Sequence, residues 1–303
     1  MGSRRSFLQS CSCPLSLFVV VVALAAPSAD GSRAARVPCY FIFGDSLYDS
    51  GNNNNLNTSV KVNYSPYGID FPAGPTGRFS NGRTAADIIG ETLGFKDFIP
   101  PFASNPDDRQ ILVGVNYASG SAGILVQSGK QGGDNVDLSK QLRNHKVTVS
   151  RIVKKLGSKK AAFEHLARKV ALAGISNIGC TPSLIATVGT NGAPCVTSVN
   201  QLVAPFNIGL KSLISQLKSA HPDAKFGYLD TIRAGILASQ VFAEFKVRTT
   251  PCCQVSTVTG LCLPNTVPCS QRQSYLFWDA FHPTELANRL GAPILLPVIQ
   301  RIL

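Results

Sequence analysis

Outside its first 29 residues this chain has no apolar run approaching the ~20 residues that span a bilayer. It also has no internal repeat, and no low-complexity tract beyond Asn52–Asn55. These absences exclude a multispan membrane protein and a repeat array. Charge is sparse, at 15% of residues, and acidic residues are outnumbered 17 to 29, for a formal charge of +12. The basic residues are dispersed. Their one modest cluster, at Lys154, Lys155, Lys159, Lys160, Arg168 and Lys169, reads as a solvated helix face, and no reader motif accompanies it. Nucleic acid is therefore not an expected partner. An anionic cell-wall or lipid surface suits the charge better. Histidine is scarce, with four in the chain, and neither a cofactor nor a metal site is expected.

What is present begins with a distinct N-terminus. Arg4 and Arg5 precede the 12-residue apolar run 15–26, and Ala26-Pro27-Ser28-Ala29 follows. A charged start, a short apolar stretch and small residues predict a secretory signal peptide over 1–29 and a single domain over 30–303. The run is too short for a membrane anchor. Of nine cysteines, Cys11 and Cys13 fall in that segment. The seven that remain predict up to three disulfides and one free thiol in a secreted chain. Cys180 and Cys195 would close a loop around Gly189-Thr190-Asn191-Gly192, and Cys39 reads as a buried free thiol in the first strand. Cys252, Cys253, Cys262 and Cys269 crowd into one Pro/Gly/Thr-rich stretch. A zinc site is the alternative there, although adjacent cysteines without a nearby His fit zinc spacing poorly. Asn57-Thr58-Ser59 is a glycosylation sequon in a polar loop, and Asn52–Asn55 reads as a capped polar turn.

At 44% hydrophobic the chain can build a substantial core. Short apolar stretches at 38–43, 112–117, 170–175 and 226–229 alternate with amphipathic segments at 84–93, 138–156, 205–220 and 285–303. The last is expected to break at Pro293 or Pro297. This alternation predicts a parallel α/β sheet. In such sheets ligands gather at the carboxyl ends of strands, and just past the first strand lies Gly44-Asp45-Ser46. A serine held there can act as a nucleophile if a base and an orienting acid reach it. Phe277-Trp278-Asp279-Ala280-Phe281-His282-Pro283 offers both in one short turn. The other histidines, His145, His165 and His221, read as surface residues with no acid placed to orient them.

Four blocks carry a resemblance: Phe43 to Asn54, Gly114 to Gly120, Gly174 to Pro182 and Phe277 to Thr284. The chain resembles plant-type GDSL esterase/lipases of the SGNH hydrolase superfamily across nearly all of residues 37–303. The resemblance implies a flavodoxin-like three-layer α/β fold and a secreted enzyme acting on carboxylic (acyl or lipid) esters. Ser46 would be the nucleophile, His282 the base and Asp279 its partner, with the Ser46 and Gly120 N–H groups as oxyanion donors. Two other readings stay open: a catalytically impaired variant that binds lipid or cell-wall esters, and a polysaccharide acetyl esterase.

One family feature is missing. Between Leu156 and Val170 lie 13 residues, where the family has a strand, a Gly-x-Asn-Asp turn supplying a third oxyanion donor, and a helix. The spacing implies the loss of one βα unit. If the strand at 170–175 slid into the vacant place, Asn177 would stand near the position of the absent Asn.

Overall fold

Strands form where aromatic and aliphatic residues alternate between two covered faces. In β1 (Tyr40–Ile42) Tyr40 and Ile42 point to one side, against the glycine face of α1 (Ala85–Leu93). Phe41 and the following Phe43 point to the other side, against Tyr117 and His145. This is the period of two that a pleated strand imposes. The computed structural model describes residues 35–166, 168–233 and 245–303. The expected signal peptide lies outside the described residues.

The helices begin where side chains satisfy their first N–H groups. Thr84 and Asp87 form a reciprocal capping box on α1, and Asp107 with Gln110 does the same for α2 (Asp108–Val113). Asp137 caps α3 (Leu138–Leu156), as expected. Short β2 (Gly114–Asn116) follows α2 directly, so residues 112–113 end a helix rather than begin a strand. After α3 come α4 (Lys159–Leu166), β3 (Lys169–Ala173), α5 (Pro182–Val188), α6 (Thr197–Ala220), β4 (Lys225–Leu229) and α7 (Glu285–Ile302).

Two helical expectations need correction. α6 begins at Thr197 and carries Pro205 inside it, and α7 runs unbroken through Pro293 and Pro297. An internal proline costs about 3 kcal/mol. In α7 the buried stripe Ala292, Leu295, Ile299 and Ile302 offsets that cost, at about 1.5–3 kcal/mol for each large side chain.

α1 and α7 cover one face of the strands and share a core with Ile42 and Leu229. The opposite face is covered by α2, α3 and α4 around Ile111, Val115, Ile152 and Ala162. β4 shows the same two-sidedness: Gly227 abuts Val298 and Ile302 of α7, while Tyr228 lies under Lys211 of α6. The result is the three-layer α/β arrangement that the resemblance implies, with all described pairings between strands parallel, as the alternation predicted.

The strands nevertheless make two sheets. β1 pairs only with β2, and β3 only with β4, among the described residues. The expected slide of 170–175 toward the first strand does not occur. β3 keeps a five-residue register with β4, from Lys169 opposite Lys225 to Ala173 opposite Leu229. Beyond its end, Asn207 of α6 clamps both the N–H and the C=O of Ile175 at 2.8 and 2.9 Å. Val170 and Ala171 are exposed on β3, as expected of a strand with one neighbour.

Candidate active site

The serine turn is built from backbone constraints. Gly44 has φ +147°, and a Cβ there would lie 2.9 Å from the Tyr48 ring, so this position requires glycine. The side-chain amide of Gln141 on α3 grips it: Gly44 N–H donates to Oε1 at 3.0 Å, and Nε2 donates to Gly44 O and Val136 O, both at 2.8 Å. The N–H groups of Tyr48 and Asp49 then return to Asp45 O, and Leu47 N–H donates to Asp45 Oδ1. Ser46 is left half-buried at the apex of this turn, and its N–H has no acceptor among the described residues.

The second turn closes through a Trp278 N–H bond to His282 O at 2.7 Å and an antiparallel bridge between Phe277 and Pro283. Asp279 folds its carboxylate back over the turn, and Oδ1 accepts the N–H groups of Phe281 and His282 at 2.9 and 2.8 Å, a local habit of Asp. Two loops pin this turn. The 79–83 loop contributes Ser80 Oγ donating to Pro283 O, Asn81 Oδ1 accepting from Glu285 N–H, and an Arg83–Glu285 ion pair at 2.6 Å. The loop between Cys252 and Cys269 contributes Cys253 N–H to Trp278 O and accepts Ala280 N–H at Gly260 O. Thr284 caps α7 immediately after the turn.

These turns bring the three expected residues together. His282 Nε2 lies 2.7 Å from Ser46 Oγ, and His282 Nδ1 lies 2.8 Å from both oxygens of Asp279. Asp279 is fully buried and His282 nearly so, with the Phe79 ring 4.9 Å from the imidazole. A carboxylate only accepts, so Nδ1 carries a proton and Nε2 is free to accept the serine hydroxyl. Burial raises the Asp45 carboxyl above the usual range, opposed by its backbone bonds and by the nearby His282.

Other expected residues stand elsewhere. Gly120 N–H donates to Asp49 Oδ2 at 2.9 Å, so it is not a free donor here. Asn177 is exposed, and its side chain caps nothing. Asn57 is exposed on its loop. Cys180–Cys195, Cys252–Cys269 and Cys253–Cys262 are disulfides, so the crowded cysteines are paired with one another rather than open to zinc. Cys39 is the free thiol among the described residues, half-buried just before β1, and burial pushes its pKa up to about 11. His145 and His165 are half-buried rather than exposed. His145 sits among Phe41, Phe43 and Tyr117, where burial lowers its pKa, and the His165 ring reaches Leu112 O at 2.8 Å.

Sequence reasoning missed the buried polar bracing. Asn52 is 5% exposed; its Nδ2 donates to Asn116 O and Ala118 O, and its Oδ1 accepts Ala103 N–H. Asn53 donates to Val60 O and Gly120 O and accepts the Ser119 hydroxyl. The asparagine run is the capped polar turn expected, and its first two residues, Asn52 and Asn53, are buried and tie the serine turn to β2. Gln141 gave no sequence signal at all, since its partners lie 97 and 5 residues away.

A family model described as GDSL-like lipase/acylhydrolase matches residues 137–293, a stretch containing Asp279 and His282. The chain belongs to the GDSL-like lipase/acylhydrolase family. Among curated proteins it is similar to GDSL esterase/lipases of Arabidopsis thaliana. One is 39% identical, covering 84% of this chain and 85% of its own length. Two others are 39% and 38% identical, each covering 91% of this chain and 92% of their own length. The first alignment is 312 residues long yet takes in only 84% of this chain, about 255 of its 303 residues. About 57 positions of that relative therefore have no counterpart here. That shortfall exceeds the ~30 residues of one βα unit, and it accompanies a fold in which the free edges of β1 and β3 carry no strand among the described residues.

Proposed function

We propose that this family member is a secreted hydrolase of carboxylic (acyl or lipid) esters, working through Ser46, His282 and Asp279. The observation that carries the reading is the continuous chain of short contacts from Ser46 Oγ to His282 Nε2 and from Nδ1 to a fully buried Asp279. Ser46 Oγ attacks the ester carbonyl as its proton passes to Nε2. Collapse of the tetrahedral intermediate breaks the bond to the alcohol, which takes that proton from His282. Water, deprotonated by the same nitrogen, then releases the acid from Ser46. Asp279 holds the imidazole tautomer and balances its positive charge. The Ser46 N–H, which lacks an internal acceptor, is the donor available to the developing oxyanion. Three disulfides suit an oxidising compartment.

A slow or ester-binding variant is the second reading, and the occupied Gly120 N–H favours it. Loss of one oxyanion donor costs about 10²–10³ in rate. Reaction with a fluorophosphonate probe and hydrolysis of p-nitrophenyl esters test both readings. Labelling at Ser46, with turnover abolished in Ser46→Ala, is the result expected of the enzyme. A folded protein that neither labels nor turns over leaves the binding reading.

A further inference from the structure

Asp279 is fully buried, and its donors can be counted. Backbone N–H groups of Phe281 and His282 reach Oδ1, and the imidazole N–H reaches both oxygens. One other side chain bonds to it among the described residues: Tyr67, whose hydroxyl lies 2.6 Å from Oδ2 across 212 residues of sequence. The direction of that bond is determined. The Cys262 N–H donates to the same hydroxyl oxygen at 3.0 Å. An amide N–H cannot accept, so the phenolic proton is left to point at Asp279. Cys262 is itself fixed by its disulfide to Cys253. Tyr67 is 1% exposed, with its ring against Tyr64 and Phe79, and Phe79 packs on His282. Burial, with the adjacent Asp279 charge, lifts its phenol well above the ordinary range, so it remains a donor wherever the enzyme works.

We infer that Tyr67 is a positioning residue for ester hydrolysis: anchored by the Cys262 N–H, its hydroxyl locks the Asp279 carboxylate in the orientation that holds His282 toward Ser46. The inference rests on the Ser46–His282–Asp279 reading. It adds a fourth member to that chain, from a loop far in sequence from Asp279 and His282. Without it, Oδ2 keeps only the imidazole bond, and the carboxylate can rotate about its Cβ–Cγ bond.

The test is Tyr67→Phe in the full chain with its disulfides intact, with rates normalised to active sites titrated by the fluorophosphonate burst. kcat should fall roughly ten- to a hundredfold, the worth of one hydrogen bond to a charged group. KM should stay within about twofold, because the lost interaction acts on the transition state. The downfield proton resonance of His282 Nδ1–H should shift or broaden. The second variant carries 3-fluorotyrosine at position 67, which keeps the shape and makes a stronger donor. It should retain turnover and move that resonance upfield as charge is drawn from Asp279 toward the phenol. An unmoved resonance overturns the inference even if the phenylalanine variant does not fold. Turnover lost in Ser46→Ala but kept in Tyr67→Phe overturns the inference alone. Turnover surviving Ser46→Ala overturns the triad reading and the inference with it.

Discussion

The tightest constraint on the serine turn is the Gln141 amide, and Gln141→Glu tests it with almost no change in shape. Gln141 is 1% exposed. It faces one N–H and two carbonyl oxygens, so only one orientation of the amide satisfies all three. A glutamate can still accept the Gly44 N–H through one oxygen. Its other oxygen must then lie about 2.8 Å from Gly44 O and Val136 O, where the wild type donates two hydrogen bonds. Protonating the carboxyl restores one of those donors. The folded state therefore holds the proton more tightly than the unfolded state, whose glutamate titrates near ~4.3. A folded pKa raised by about three units corresponds to ~4 kcal/mol, at 1.36 kcal/mol per unit. Below pH ~4.3 both states are protonated, and the variant should lose only about 1 kcal/mol, the worth of the missing bond. As pH rises the penalty should grow by about 1.4 kcal/mol per unit until it levels off at the folded pKa. Urea unfolding of wild type and variant across pH 4 to 8, with disulfides intact, measures the difference, in which all other titrations cancel. A difference that is flat with pH, or smaller than about 0.5 kcal/mol at pH 8, would refute the claim that this amide is a dry three-point clamp.

Two further predictions concern the same framework. Arg78 is buried and bidentate to Asp87 at 2.8 Å on both arms, with its guanidinium 4.3 Å from the Phe71 ring centroid. Arg78→Met should therefore destabilise by about 3–5 kcal/mol by stranding Asp87, read as a lower thermal midpoint; a change under about 1 kcal/mol would contradict it. Asp49 accepts N–H bonds from Gly51, Asn52 and Gly120, yet burial pushes its pKa up to about 6, above the ~3.9 of an unfolded chain. Because the folded pKa is the higher one, wild type should lose up to about 3 kcal/mol relative to Asp49→Asn between pH 4 and pH 6.5 and little beyond. The opposite slope in a pH series of unfolding curves would mean that the three N–H donors outweigh burial.

What could be read from the chain alone followed from locality. Asp279 and His282 are three residues apart and form their contact within one turn, so their pairing is legible in a single stretch. The capping pair Asp107 and Gln110 is equally local but went unread, and residues 112–113, expected as strand, instead end the helix it starts. Strands with two-sided apolar character fell within two residues of expectation, as 226–229 against Lys225–Leu229 shows. Contacts spanning the chain were legible only where the family resemblance supplied them, as for Ser46 and His282 over 236 residues. Tyr67 meets Asp279 over 212 residues, and Gln141 meets Gly44 over 97. Neither residue belongs to a type that announces such a role. The slide of β3 failed for the same reason, since the clamp that prevents it comes from Asn207, 32 residues beyond Ile175.

The unfilled edges and the assembled contact are compatible because they depend on different parts of the molecule. Ser46 hangs from β1, which is held by β2, by α1 and by the Gln141 clamp from α3. His282 hangs from the start of α7, pinned by the 79–83 loop that leads into α1 and by the loop between Cys252 and Cys269. α1 and α7 pack together in one core with Ile42. Ser46 and His282 are therefore referred to the same pair of packed helices, and neither needs a strand on the far side of β1. Because a phosphonate and an ester both place an oxyanion beside the Ser46 N–H, labelling and turnover should rise and fall together across variants, and fast labelling with no turnover would contradict a shared site.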